Sequence, residues 1–369
     1  MTSYRVAIAA AAAALLTLSA QSAMAFGYRT CSGVPIKWSS NFPSMAASPV
    51  SFPTGYWRNG LQRTVDLTNQ NPSPFGFNLV TDNGTVGLNN GQNEAWGSSD
   101  NGVLQGAPAI AYTPLTCYWF FTIVTHYNEA DVIFDYRSPF KWTADELTSS
   151  IMSYKGDRRQ LQSTGVHELG HGMGLLHENR WYNIMGADFQ HIWANGTNAR
   201  GYFGEDASNG AVFLYGLWSA AYEDLGVAHW RYSGASGEYS THGKTAIYNT
   251  SDVALPWITV NGERTYLVNR GQQVRAEFSY ENNGKNTKSV TTGYYISTNN
   301  LISRTDRLIA TSSMTVSRDI VLTSRRTLTI PSNLTRGATY WLGTVIDTGQ
   351  VVSDNVPSNN ATYIPIRVN

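Results

Sequence analysis

The sequence predicts an α+β domain followed by an all-β sandwich, with a short export leader in front. Two observations carry that division. Charge changes sign: Phe26 to Leu255 holds 13 Lys+Arg against 19 Asp+Glu, whereas Pro256 to Asn369 holds 12 against 7. Texture changes too, from mixed helical and strand-like runs to short alternating segments separated by turn residues. A length of 369 residues suits about two domains and is ample for a sizeable core. With 12% aromatic and 14% charged residues, the chain is not a solvating, disordered polymer. Zero formal net charge removes any global electrostatic case for nucleic acid or an anionic membrane as partner.

Residues 1–25 read as a signal peptide. Arg5 precedes an apolar run from Val6 to Leu18, and Ala23-Met24-Ala25 places small residues where a signal peptidase cuts. That run is short for crossing about 30 Å of hydrocarbon. No later stretch is long enough either, so no transmembrane anchor is expected. The mature chain is expected to start near Phe26 and to be secreted, extracellular or periplasmic. In an oxidising compartment the two cysteines, Cys31 and Cys117, predict one disulfide. The alternative is a Cys31 thiolate covering a metal.

Over 26–216, Trp57, Leu61 and Val65 recur at helical spacing and predict a helix from Gly55 to Thr68. Strand-like runs follow at 106–113, 118–127 and 130–136. Further helices are predicted around Ala144 to Tyr154 and from Arg159 to Met173. Tyr118, Trp119, Phe120 and Phe121 open an apolar run, which predicts a buried strand in preference to a glycan-stacking platform. Residues 217–255 fit either a connector or an extension of the first domain. Over 256–369, seven alternating runs beginning TYLVN, QVRAE, TTGYY, RLIAT, RTLTI, TYWLG and ATYIP predict an antiparallel β-sandwich.

The chemistry concentrates at 167–177. His167 and His171 are four residues apart, so a helix stacks them on one face, where they can share a metal. Glu168 lies beside them, within reach of a proton. A continued helix would carry His177 about 15 Å from His167 along the axis. Gly174 tolerates the left-handed backbone that turns the chain back. Three neutral imidazoles with one open position describe a catalytic zinc site and not a closed structural one. His126, His191, His229 and His242 have no such spacing and read as core or surface residues.

His167-Glu168-x-x-His171-x-x-Gly174-x-x-His177 resembles the extended zinc motif of the metzincin metallopeptidases. Met185, in Tyr-Asn-Ile-Met-Gly, resembles that clan's Met-turn, and the short His-to-Met interval is similar to the matrixin branch. Residues 205–216, ending Leu-Tyr-Gly, resemble the closing helix of matrixin catalytic domains. The resemblance implies a metzincin-like α+β domain, with one catalytic Zn2+ held by His167, His171 and His177. Glu168 would be general base and Met185 a hydrophobic floor. It also implies peptide bound as an added strand, with 106–113 the candidate edge; because this run precedes 130–136, whereas the matrixin edge strand follows its counterpart, a simple core strand is the equal alternative. Structural Ca2+, which matrixins often bind, could draw on Asp131, Asp135, Glu205 or Asp206, but no D-x-D-x-D-G loop is present, so helix capping and solvated surface are the roles expected of them. Glu178 stands where matrixins have Ser, and Gly186-Ala187-Asp188 where they keep an aromatic. A cut after Ala25 is expected to leave no room before the domain for the family's usual propeptide.

The C-terminal stretch resembles the bacterial adhesion-related, CARDB-like Ig-like domain at Tyr280-Glu281-Asn282-Asn283-Gly284, Tyr294-Tyr295-Ile296-Ser297, Ile330-Pro331, Tyr340 to Asp347 and Asn359-Asn360. That implies contact with a cell-surface or matrix component. Taken together, the sequence predicts a secreted zinc endopeptidase acting on protein or peptide. The rival is an exported adhesion or glycan-binding protein whose metal domain is a scaffold or an inactive enzyme.

Overall fold

Two helices crossing on one face of a mostly parallel sheet build the first half. The computed structural model describes residues 26–82, 84–137, 142–146, 159–179, 183–186, 191–219, 221–232, 242–318 and 321–369. The leader therefore lies outside the described residues, as does most of the helix predicted over Ala144 to Tyr154. Of the latter, 144–146 are not helical, and Trp142–Thr143 instead pairs as a short strand with Arg159–Gln160.

The elements of this half are β1 (Ser44–Ala47), α1 (Tyr56–Thr68), β2 (Asn78–Asp82), β3 (Glu94–Ser98), β4 (Ala109–Tyr112), β5 (Leu115–Phe120), β6 (Thr122–Tyr127), β7 (Asp131–Asp135), α2 (Leu161–Met173) and α3 (Gly204–Tyr215). The sheet order is β2-β1-β3-β7-β4. Strands β1, β2, β3 and β7 run parallel, and β4 closes one edge antiparallel to β7. Along β7, Val132 and Phe134 enter the main core under the helices, while Ile133 joins Trp96 and Leu104 on the opposite face. This period of two, buried on both sides, is why the strand reads as a continuous apolar run.

Helix α1 buries Leu61 and Val65. Its buried Thr64 and Thr68 hydroxyls donate to the carbonyls of Gly60 and Thr64, at 2.9 and 3.0 Å, so their burial leaves no orphan donor. Where α2 crosses α1, a Cβ on Gly165 would lie 2.6 Å from the Thr64 methyl. Only glycine allows that approach.

The aromatic run departs from expectation. Residues 118–127 are not one buried strand: β5 and β6 form a hairpin turning at Phe121, where φ is +54°. Tyr118, Trp119, Phe120 and Phe121 are 54, 74, 62 and 87% exposed. Alternation along a two-stranded ribbon has no second layer to bury its tip. The ribbon is tied down at Cys117, which is disulfide-bonded to Cys31 with Cα atoms 5.8 Å apart; Cys31 is therefore not a free thiolate.

The second half comprises β8 (Leu225–Ala228), β9 (Ile247–Tyr248), β10 (Trp257–Val260), β11 (Glu263–Val268), β12 (Gln273–Asn282), β13 (Lys288–Ser297), β14 (Arg307–Val316), β15 (Leu322–Thr329), β16 (Thr339–Val345) and β17 (Ala361–Val368). One sheet runs β10-β11-β17-β16-β13-β14; in the other, β12 pairs with β8, β9 and β15. Inward Phe278, Tyr280, Tyr294, Leu342, Ile364 and Ile366 fill the space between them, an Ig-like sandwich arrangement. Strands β8 and β9 come from 217–255, so that stretch supplies the sandwich as well as linking to it.

Residues 191–196 bind the two halves together. His191 Nε2 meets Glu281 Oε1 with both side chains fully buried. The Thr362 hydroxyl donates to Ala194 O at 2.8 Å, and Asn195 exchanges hydrogen bonds with the Ile302 backbone at 2.7 and 2.9 Å.

The Cys31–Cys117 link spans 86 residues, and a bond closing so long a loop restricts the unfolded chain strongly. The double variant Cys31→Ser/Cys117→Ser is expected to lose about 2–4 kcal/mol in urea unfolding. An unchanged midpoint would show that the link carries no stability.

Candidate metal centre

Helix α2 is the central element of the first half, buried on nearly every side. Of its residues only His167 and His171 are not buried, so the helix opens to solvent through its histidine face alone. It ends at Gly174, where φ is +114°. A Cβ there would sit 3.1 Å from the Tyr127 ring and 3.4 Å from Leu214, so both backbone conformation and space require glycine. The left-handed step reverses the chain into Leu175–Leu176, which pairs antiparallel with Gly27–Tyr28. His177 then faces back toward the helix.

The last carbonyls of α2 are each satisfied. Gly174 N donates to Gly170 and His171 O, the Trp38 indole to Gly172 O at 2.8 Å, and the Tyr215 hydroxyl to Met173 O at 2.6 Å. Helix ends leave such carbonyls without partners inside the helix, and burying them unpaired is costly. Tyr215 comes from the Leu-Tyr-Gly end of α3.

The three imidazoles converge. Ring centroids are 4.7 Å apart for His167–His171 and His171–His177, and 5.1 Å for His167–His177. His167 Nδ1 lies 2.7 Å from Ile184 O, and His171 Nδ1 lies 2.7 Å from Leu175 O. A carbonyl only accepts, so both rings carry their proton on Nδ1 and present an Nε2 lone pair. His167 Nε2 and His177 Nε2 are 3.1 Å apart. Two nitrogens each about 2.05 Å from a tetrahedral zinc would be about 3.3 Å apart. The donor set suits a borderline-soft transition metal, not calcium. Among the described residues this is the one group of three or more His, Cys, Asp or Glu placed to hold a metal ion, its ligand atoms all within 4.8 Å of one another.

The three rings keep an edge open to solvent, yet desolvation by the protein packed around them sets their protonation states. It pushes His167 down to about 4 against the help of the Ile184 carbonyl, and holds His171 well below its usual value. His177 is lowered by the same cause. All three are neutral at pH 7, the form that binds metal. Glu168 is pushed up to about 8 by burial, opposed by the Ala111 amide and by the Arg159 charge. Ala111 belongs to β4, the strand at the sheet edge, which packs against α2.

Met185 is buried and packs its sulfur against Gly170 of α2, so close that a Cβ there would lie 2.4 Å away. Its turn is held by Ile184 N to Phe203 O at 2.8 Å and Glu178 N to Met185 O at 3.1 Å. Spacing could not reveal Ile184, Leu175 and Ala111, because they act through backbone atoms. Asn183 accepts from Met185 N and is fully buried; as an Asx-type turn residue two before the methionine it was the detectable signal.

The acidic residues considered for calcium do not gather. Asp135 pairs with Arg137 at 2.5 Å, and Glu205 and Asp206 lie in the first turn of α3. Asp131 is buried with Glu94 and Glu129; its burial, then the neighbouring Glu129, raises it to about 9. The remaining histidines lie apart from the centre: His191 meets Glu281, and His229 Nδ1 lies 2.9 Å from the Thr362 hydroxyl.

Because the folded-state imidazoles protonate less readily than unfolded ones, the unfolded chain binds more protons between about pH 6.5 and 4. Metal-free protein is therefore expected to lose stability as pH falls through that window, while zinc at pH 7.5 raises the melting temperature. Thermal scans at pH 7.5, 6 and 4.5, with and without zinc, check both. A metal-free melting temperature flat across the series contradicts the burial argument.

No protein-family model and no curated protein matches this chain. Among solved structures, it is similar to the CARDB domain of the PF1109 protein of Pyrococcus furiosus. The crystal structure of that domain in complex with di-metal ions shares 18% identity over 28% of this chain and 79% of that one, with a TM-score of 0.21. Its solution NMR structure shares 15% identity over 40% and 95% respectively, with a TM-score of 0.23. No helix among the described residues is long and apolar enough to cross a membrane.

Proposed function

We propose that this protein is a secreted zinc-dependent endopeptidase of matrixin-like metzincin type, followed by an adhesion-related Ig-like domain. One observation carries the reading: the buried Glu168 carboxyl stands beside three imidazoles whose metal-binding nitrogens converge. A purely structural metal site has no use for a carboxyl held there. His167, His171 and His177 would hold the ion, with Met185 packed beneath. When bound, zinc supplies Lewis acidity, which acidifies water and polarises a carbonyl.

The chain's own residues do the rest. A nearby dication favours the ionised form of Glu168. That carboxylate removes the proton of the attacking water and returns it to the leaving amine. Strand β4, paired on one side with β7 and lying at the sheet edge, offers backbone groups to an extended peptide. Such pairing requires no particular side chain, and it presents the scissile bond alongside α2.

Glu168→Gln keeps the shape and removes the base. It is expected to lower casein hydrolysis by about 10²–10⁴-fold while zinc content by elemental analysis stays that of the wild type. Chelation abolishes wild-type activity and added zinc restores it. Zinc-loaded wild type without hydrolysis of casein or a peptide library would overturn the proposal in favour of a metal-holding scaffold.

A further inference from the structure

The tip of the hairpin β5–β6 plays no part in the metal centre, yet it carries the longest run of consecutive exposed aromatic side chains among the described residues. We propose that it is an interfacial anchor whose tip, Tyr118 to Phe121, inserts into the boundary between headgroups and acyl chains of a lipid bilayer.

Four features point to lipid and away from a folded partner. From Leu115 to Tyr127 there is no Lys, Arg, Asp or Glu, so insertion buries no ionised group and no charge fixes a register with another protein. Successive residues alternate across the ribbon, and all four aromatics are more than half exposed. Both faces and the turn are thus offered at once, which a fluid can surround and a protein surface covers on one side only. Each residue from Leu115 to Phe120 is paired with one from Thr122 to Tyr127, so the backbone groups facing across the ribbon are already bonded, and at interfacial depth those on its outer edges keep headgroups and water as partners. Finally, Tyr and Trp are the side chains that settle at membrane interfaces, with ring buried and polar edge wet.

The dimensions agree. From the Cys117–Thr125 pair to Phe121 is four residues, about 13 Å at strand rise. Interfacial elements sink about 5–10 Å. The disulfide at Cys117 fixes the base of the wedge to the body of the first half. At the other end, Leu115 packs on the main core and Tyr127 is buried within it. Strand β4 precedes the hairpin by two residues, so a membrane-seated tip would hold the sheet edge close to the bilayer surface.

The test uses protein recovered after export of the full-length precursor, metal-free, so that its outcome is independent of peptidase activity. It is sedimented with phosphatidylcholine vesicles and with vesicles containing phosphatidylglycerol. Wild type is expected to bind both, and to resist about 0.5 M salt because no charge contributes. Trp119→Ser/Phe120→Ser/Phe121→Ser, substituted at exposed positions, is expected to lower partitioning by about 100-fold with an unchanged circular dichroism spectrum. Trp119→Phe retains binding but removes the fraction of tryptophan emission quenched by brominated lipid. The proposal is overturned if wild type binds neither vesicle, or binds only the anionic one in a salt-sensitive way. It is equally overturned if the triple variant binds as wild type does, or if the tip instead mediates dimers in sedimentation velocity.

Discussion

The site depends on a helix that stops at the right residue. One further turn of α2 would carry the chain past the point from which His177 can return to His167 and His171. Gly174 makes the stop by adopting a backbone conformation that a side chain would strain, in a space closed by Tyr127 and Leu214. The stop exposes carbonyls that need partners. Trp38 and Tyr215 bring theirs from segments far apart in the chain, one before the sheet and one at the end of α3. The N-terminal strand Gly27–Tyr28 then seals the reversed segment. Remote parts of the first half thus converge on the carboxyl end of a single helix.

Burial of that helix has a second consequence, which is electrostatic. The same desolvation keeps the imidazoles neutral and favours the protonated carboxyl of Glu168. The centre is therefore an uncharged set of imidazole lone pairs on the solvent-facing side of α2. A divalent ion is the charge that such a set is built to accept, and its arrival shifts Glu168 toward the carboxylate. The turn at Asn183 to Gly186 contributes by aiming the Ile184 carbonyl at His167. The fully buried His191–Glu281 contact and the hydrogen bonds of 194–195 join the sandwich to the segment that follows this turn. Removing either partner of a buried pair of that kind leaves an unsatisfied group.

Much of the fold was readable in residue order because its elements obey strong periodicities. Trp57, Leu61 and Val65 mark α1, and each of the seven alternating runs after Pro256 contains a strand. The failures share a cause. Tyr118 to Phe121 look buried because aromatic residues usually are, and Phe121 takes a left-handed turn that no Gly or Asn announces. Strands β8 and β9 are too short to show a period and exist because β12 offers them an edge.

Residue identity and spacing alone were enough to place two imidazoles on one helical face, a carboxyl beside them and a glycine where the helix must reverse. Those are local consequences of the 3.6-residue turn and of glycine's freedom. Three-dimensional packing settled what spacing has no access to: which carbonyls orient His167 and His171, which strand packs beside the helix that carries Glu168, and whether an aromatic run is covered or left in water. Each of these depends on backbone atoms or neighbours distant in sequence. Side-chain order records such contacts only indirectly, because every residue carries the same amide and carbonyl wherever it stands.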